Sequence, residues 1–155
     1  MRYKPMKKSV FIWLAVIALM DGVQAKTCNV SSGGLAFGLY NPASATNRNV
    51  TGSVVITCDK KIKAELSLSV GNGRAASYSG GRKMTRTTGG GTLTYNLYID
   101  LSRTLVFGDG TDSSVTSQVN EKDTFSQPVY GRIPGAQRTT LSGSYLDTVV
   151  VTIKY

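Results

Sequence analysis

The sequence predicts an all-β sandwich, and three observations predict it. Apolar and polar residues alternate with a period of two in several short runs. Those runs recur every roughly 10–15 residues, with glycine-rich turns between them. No stretch after residue 25 carries the 3.6-residue period of an amphipathic helix.

Taken in order, a first strand opens at Cys28. A polar, turn-rich stretch from Asn41 to Gly52 precedes a strand over Val54–Cys58. Ala64–Val70 alternates plainly, with Leu66, Leu68 and Val70 on one face, and ends at Gly71-Asn-Gly73. Ser79-Gly-Gly81 and Gly89-Gly-Gly91 are turns. Leu93–Ile99 places Leu93, Tyr95, Leu97 and Ile99 together. Leu105–Phe107 reads as a short strand closed by Gly108-Asp-Gly110. Thr124–Ile133 is another strand, and Pro128 marks it as an edge or a bulge. Pro134-Gly-Ala136 and Ser142-Gly143 are the last turns.

The final run, Tyr145 to Tyr155, reads as one strand. Val149, Val151, Ile153 and Tyr155 fall on one face; Val150, Thr152 and Lys154 fall on the other. A last strand at a sheet edge leaves a row of unpaired N–H and C=O groups beside an apolar face. Two readings are open. An earlier strand covers that edge, or the edge receives a strand from a partner.

The first 25 residues form a signal peptide. Arg2, Lys4, Lys7 and Lys8 make a basic head, Ser9–Met20 an apolar centre, and Val23-Gln24-Ala25 a small-residue exit. The apolar run is short for a bilayer span of about 20 residues. The mature chain, residues 26–155, is one domain with no repeat, linker or membrane span. Its net charge falls from +9 to +6 once those four basic residues and Asp21 are removed. The basic residues that remain, such as Lys60, Lys61, Lys63, Arg82, Lys83 and Arg86, are read as a scattered, solvated surface. They lack the aromatic interleaving of a nucleic-acid site, so no nucleic-acid partner is expected.

Cys28 and Cys58 are the only cysteines. An even pair in an exported β-rich domain reads as one disulfide. The chain has no histidine, which excludes a Ser-His-Asp triad and a histidine metal site. Asp109 and Asp147 are the acids one would pair for glycoside hydrolysis. Their settings fit a turn and the flank of a strand better. Gly108-Asp-Gly110 lacks the acidic spacing of a calcium loop. No catalytic residue, metal or cofactor is expected, and the chain is not read as an enzyme.

An ordered set of motifs spans the mature chain. It begins with Cys28-Asn-Val, Ala36-Phe-Gly-Leu-Tyr40 and Gly52-Ser-Val-Val-Ile-Thr-Cys58. It continues with Leu66-Ser-Leu-Ser-Val-Gly71, Arg82-Lys-Met84, Leu93-Thr-Tyr-Asn-Leu-Tyr98 and Phe107-Gly-Asp-Gly110. It ends with Val129-Tyr-Gly-Arg-Ile-Pro134 and Gly143-Ser-Tyr-Leu-Asp-Thr-Val149. The set resembles the spore coat protein U domain family, which includes subunits of archaic chaperone–usher pili.

The resemblance implies an immunoglobulin-like β-sandwich lacking its final strand. It implies a structural or adhesive subunit of a surface fimbria, assembled by donor-strand complementation, with roles in surface attachment and biofilm formation. The implied partners are a periplasmic pilus chaperone, an outer-membrane usher and other pilus subunits. The implied route is export through the periplasm to the cell surface. Val149, Val151, Ile153 and Tyr155 would then form one wall of the donor-strand and chaperone groove. One departure stands out. Only Lys26 and Thr27 lie between the cleavage site and Cys28, too few to donate a strand, which implies a terminal, tip position. The alternative is a secreted spore-coat or carbohydrate- or surface-binding sandwich that acts without polymerising.

Overall fold

The computed structural model describes residues 26–73 and 76–155, without the side chains of Glu121 and Lys122. The signal peptide read from residues 1–25 lies outside the described residues. Seven strands follow one another: β1 (Cys28–Ser32), β2 (Arg48–Leu68), β3 (Arg82–Arg86), β4 (Thr92–Tyr98), β5 (Ser117–Ile133), β6 (Tyr145–Leu146) and β7 (Val151–Lys154). All pair antiparallel, in the order β1-β2-β5-β4-β3-β6, with β7 also on β2.

The spine is a long ribbon of β2 and β5, paired from Arg48 opposite Ile133 to Leu66 opposite Ser117. The runs Val54–Cys58 and Ala64–Val70, expected as two strands, both fall on β2, which ends at Leu68, two residues short of the second run's expected end. The register slips between Thr57 and Ile62 and again between Ile62 and Ala64. Bulges bend a strand and raise its twist. Here the bend is sharp. Ser117 Oγ donates to Gln127 Oε1 at 2.5 Å, though the two are ten residues apart in the same strand. A straight strand would hold them about 33 Å apart. The ribbon therefore folds over on itself and supplies both layers of the core. Ile56, Ile62, Leu66 and Val119 lie inside the fold, each no more than 1% exposed.

β1 and β7 share the edge of β2 that faces away from β5. β1 covers Val54–Cys58 and β7 covers Glu65–Leu68. They run in the same direction and meet end to end, where the Tyr155 hydroxyl donates to the Lys26 carbonyl at 3.3 Å. On the other side, β4 joins β5 over Tyr130–Arg132, β3 pairs β4, and β6 pairs β3. The result is one antiparallel sheet curled into a half-barrel. Pro128 sits on the stretch of β5 that β4 does not reach. Its missing N–H costs no ladder bond on that side, the edge setting the sequence predicted.

Three expectations are corrected. Tyr145–Tyr155 is not one strand: β6 pairs with β3, residues 147–150 leave the ladder, and β7 pairs with β2. Leu105–Phe107 makes only isolated bridges, Val106 to Tyr98 and Phe107 to Val115. Arg82 is not a surface cation but 0% exposed. Its guanidinium donates to the Ser69 carbonyl (3.0 and 3.2 Å), the Phe107 carbonyl (2.6 Å) and Asn96 Oδ1 (2.7 Å). It also lies 5.1 Å from the centre of the Tyr78 ring. A buried charge persists where its donors are satisfied, and here neutral acceptors satisfy them. Burial pulls the Arg82 pKa down from its ordinary value.

Candidate functional site

The half-barrel does not close. A groove of about 930 Å³ runs along its open side. Its floor is the core itself: Val54, Met84, Leu93, Leu97, Val129 and Ile133 line it, every one less than 9% exposed. These side chains face inward because they hold the alternate positions of β2, β3, β4 and β5.

One wall is the segment 34–40, which joins no strand ladder. Leu35 and Phe37 anchor it. Phe37 meets the Tyr95 ring edge-on at 5.8 Å, and Arg48 Nε donates to the Phe37 carbonyl at 2.7 Å. The segment can lie this close to the sheet because position 131 is glycine. A Cβ there would fall 2.8 Å from Phe37 Cζ and 2.9 Å from Leu35 Cδ2.

The other wall is the run from β6 to the start of β7. Val149 and Val151 line the groove and pack, half-buried, against the core. Ile153 also packs against the core, but beyond the groove. Tyr155, assigned to the same face from the sequence, is 57% exposed and does not line the groove. The pleat has run past the core by that point, and its hydroxyl turns to Lys26. Leu39, Leu141 and Leu146 form an apolar rim at 96%, 55% and 68% exposure. Sequence reasoning named none of these as wall or rim. The available signal was Leu35, Phe37 and Leu39 at alternate positions, with glycines at 34 and 38.

The break between β6 and β7 is built by Asp147. Its Oδ1 accepts the N–H groups of Asn72 and Thr148, each at 2.8 Å, and its Oδ2 accepts the Tyr95 hydroxyl at 2.7 Å. The fit needs glycine at 71, where φ is +92° and a Cβ would fall 2.1 Å from Oδ2. Burial, and then the bond to Asp147, push the Tyr95 hydroxyl well above its usual pKa. Ser69 continues the splice: its N–H donates to the Val150 carbonyl at 2.9 Å, and its hydroxyl accepts the Val150 N–H at 2.8 Å.

Cys28 and Cys58 are register partners, 4.1 Å apart at Cα, and are joined by a disulfide. The bond fastens β1, and through it the wall at 34–40, to β2. Asp109 accepts from the hydroxyl and N–H of Thr111 and closes its own turn. Those bonds hold its carboxyl below the usual range. Asp109 and Asp147 thus each serve a local backbone feature. Among the described residues, no three His, Cys, Asp or Glu side chains gather to hold a metal.

A curled all-β sheet, stapled by one disulfide and open along one side of its core, is an incomplete immunoglobulin-like sandwich. The chain belongs to the Spore Coat Protein U domain family, whose model matches residues 16–152. A curated relative, Protein U of Myxococcus xanthus, is 31% identical over 140 residues, covering 83% of this chain and 77% of that protein.

Among solved structures, the fold is similar to one in the CsuC–CsuE chaperone–tip adhesion subunit pre-assembly complex, from the archaic chaperone-usher Csu pili of Acinetobacter baumannii. The TM-score is 0.61 at 20% identity, over 84% of this chain and 40% of that one. This chain thus spans well under half of that neighbour's length. The E. coli Hda pilus minor tip subunit, HdaB, aligns at a TM-score of 0.44 and 14% identity, over 81% of this chain and 79% of that one.

Proposed function

We propose that the chain is a structural subunit of a chaperone–usher surface fimbria. In this reading the groove accepts a strand, first from a periplasmic chaperone and then, at the outer-membrane usher, from another subunit. The observation that carries it is a core left open between two segments, 34–40 and 147–149, that lie outside every strand ladder. An inserted strand gains main-chain hydrogen bonds along such walls, and its alternate apolar side chains fill the floor. A solved neighbour that is itself a chaperone–subunit complex supports the reading.

Export follows from it, with the leader at residues 1–25 cleaved. Cleavage after Ala25 leaves Lys26 and Thr27 before Cys28, about 7 Å of extended chain. Such a subunit accepts a strand without donating one and sits at the distal tip, where it serves attachment and biofilm formation. Electron microscopy of the purified mature protein should show no homopolymeric fibres.

The deciding experiment is expression of the mature chain with and without an archaic-class pilus chaperone from the same genome. Alone it should aggregate or swap strands, because its apolar groove meets water. Together the two should elute as a soluble one-to-one complex. A cooperative monomer of ordinary stability, about 5–15 kcal/mol, would sink the reading. The family's description and the relationship to Protein U favour a second reading, a coat component that does not polymerise. It predicts that same stable monomer.

A further inference from the structure

Among the described residues that line the groove, Asp147 is the only one with a charged side chain. Its hydrogen-bond partners among the described residues are neutral: two backbone N–H groups on Oδ1 and the Tyr95 hydroxyl on Oδ2. A carboxylate offers about four acceptor positions, so Oδ2 keeps acceptor capacity for one more donor. Arg82, the cation opposite Tyr95 on the neighbouring strand, spends its guanidinium on the carbonyls of Ser69 and Phe107 and on Asn96. The bonds on Oδ1 stop the carboxylate from swinging away to solvent.

The groove is thus an apolar trench with one fixed negative charge on its wall. A wholly apolar strand entering it would strip water from that charge and return nothing. A lysine or arginine would lay its aliphatic stem along the wall and bring its head to Oδ2. There is a second consequence. A strand of alternating apolar residues fits its pockets almost equally well after a slip of two positions. One charge pair removes that degeneracy, as charges do in other strand pairings.

We infer that the strand this groove accepts carries a lysine or arginine at the position opposite Asp147, and that Asp147 sets the register of the inserted strand. The inference rests on the strand-accepting reading above.

The test uses synthetic peptides of about a dozen residues, with alternate leucine and valine on one face and serine and threonine on the other. In a series, a single lysine replaces each apolar position in turn; a matched series carries glutamate. Affinity is read at low salt by fluorescence anisotropy, as each labelled peptide displaces the chaperone from its purified one-to-one complex with the mature, disulfide-bonded protein. One lysine position should bind about three- to tenfold tighter than the apolar parent, and glutamate there should bind worst.

The ratio of lysine peptide to parent should fall to about one in Asp147→Asn. It should persist in Tyr95→Phe, which keeps the carboxylate. It should also shrink at about 0.5 M salt in the unaltered protein, a measurement that stands even if Asp147→Asn fails to fold. If the parent binds but no lysine position is favoured, or if the preference is unmoved by salt or by Asp147→Asn, the inference is wrong and the groove reading survives. If no peptide binds, the parent included, both are overturned.

Discussion

The guanidinium of Arg82, wholly buried, donates at 2.7 Å to the side-chain oxygen of Asn96 on the neighbouring strand. Asn96 passes the link on, giving its amide to the Tyr78 carbonyl at 2.9 Å, while the Tyr78 hydroxyl donates to the Leu68 carbonyl at 2.8 Å. A polar knot therefore ties the ends of β2, β3 and β4 at the limit of an apolar core.

Cutting the knot should be costly. Arg82→Ala leaves the carbonyls of Ser69 and Phe107 buried without a donor and takes from the Asn96 oxygen one of its two donors, the Leu97 N–H remaining, a loss of about 3–5 kcal/mol. Arg82→Lys keeps the charge but loses the planar fork, and should recover little of that. Urea unfolding of both variants in complex with the chaperone, against the unaltered complex, measures the loss. Near-wild-type stability for Arg82→Ala would contradict the knot.

Reducing the disulfide should also loosen the fold. Cys28 and Cys58 are 30 residues apart in sequence. Opening a loop of that length removes about 3–4 kcal/mol in the chain-entropy model. Non-reducing mass spectrometry should find no alkylatable thiol in exported protein. Thermal unfolding should shift down sharply with reductant, and Cys28→Ser with Cys58→Ser should reproduce the shift.

The faces of β7 give a paired test. Val151 lines the groove and sits opposite Leu68, whereas Lys154 is exposed opposite Glu65. Val151→Asp should cost about 2–3 kcal/mol and abolish chaperone capture. Lys154→Asp places two acids across the strands and should cost under about 1 kcal/mol. Equal effects on periplasmic yield would mean that the faces are misassigned.

Stability should fall at both ends of the pH scale. Burial raises the pKa of the Tyr95 hydroxyl, and the bond to Asp147 adds to this; burial raises Tyr78 as well. Their unfolded counterparts ionise near pH 10, so stability is complete below that value and drains away above it. Tyr95→Phe should shrink this alkaline loss. On the acid side, partial desolvation pushes Asp100 up, but bonds from Ser102, Leu105 and Thr104 outweigh it and hold its carboxyl well below the usual range. That contribution is present above about pH 4 and is lost as the pH falls further. Thermal melts across the pH range check both limbs.

The runs with clean alternation were legible in the sequence: Leu66 with Leu68, and Leu93 with Tyr95 and Leu97, line the core as their spacing predicted. β3 was not, because Arg82-Lys-Met-Thr-Arg86 reads as a basic surface. Partners outside that run, Tyr95 and Asn96 on the next strand with Ser69, Tyr78 and Phe107, make Arg82 a core residue. The first half of β5, Ser117–Asp123, is polar and becomes strand only through β2, more than fifty residues earlier. The switch at Asp147 was illegible for a different reason. The half-buried, exposed alternation of Tyr145–Lys154 runs unbroken through it, so period alone cannot show a chain changing ladders. The wall at 34–40 left its apolar spacing in view, but nothing local says that such a segment pairs with no strand.

The ribbon of β2 and β5 also governs how quickly the molecule can be made. Its outermost pair, Arg48 and Ile133, is about 85 residues apart along the chain. Contacts that distant close late, and domains dominated by them fold over milliseconds to seconds. The β3–β4 hairpin, with Thr85 opposite Thr92, can form almost at once. The floor and both walls of the groove must wait for the distant strands to find each other. A strand offered from outside therefore meets its site only at the end of folding, and the interval before that is when the chain is most exposed to proteolysis and to its own copies.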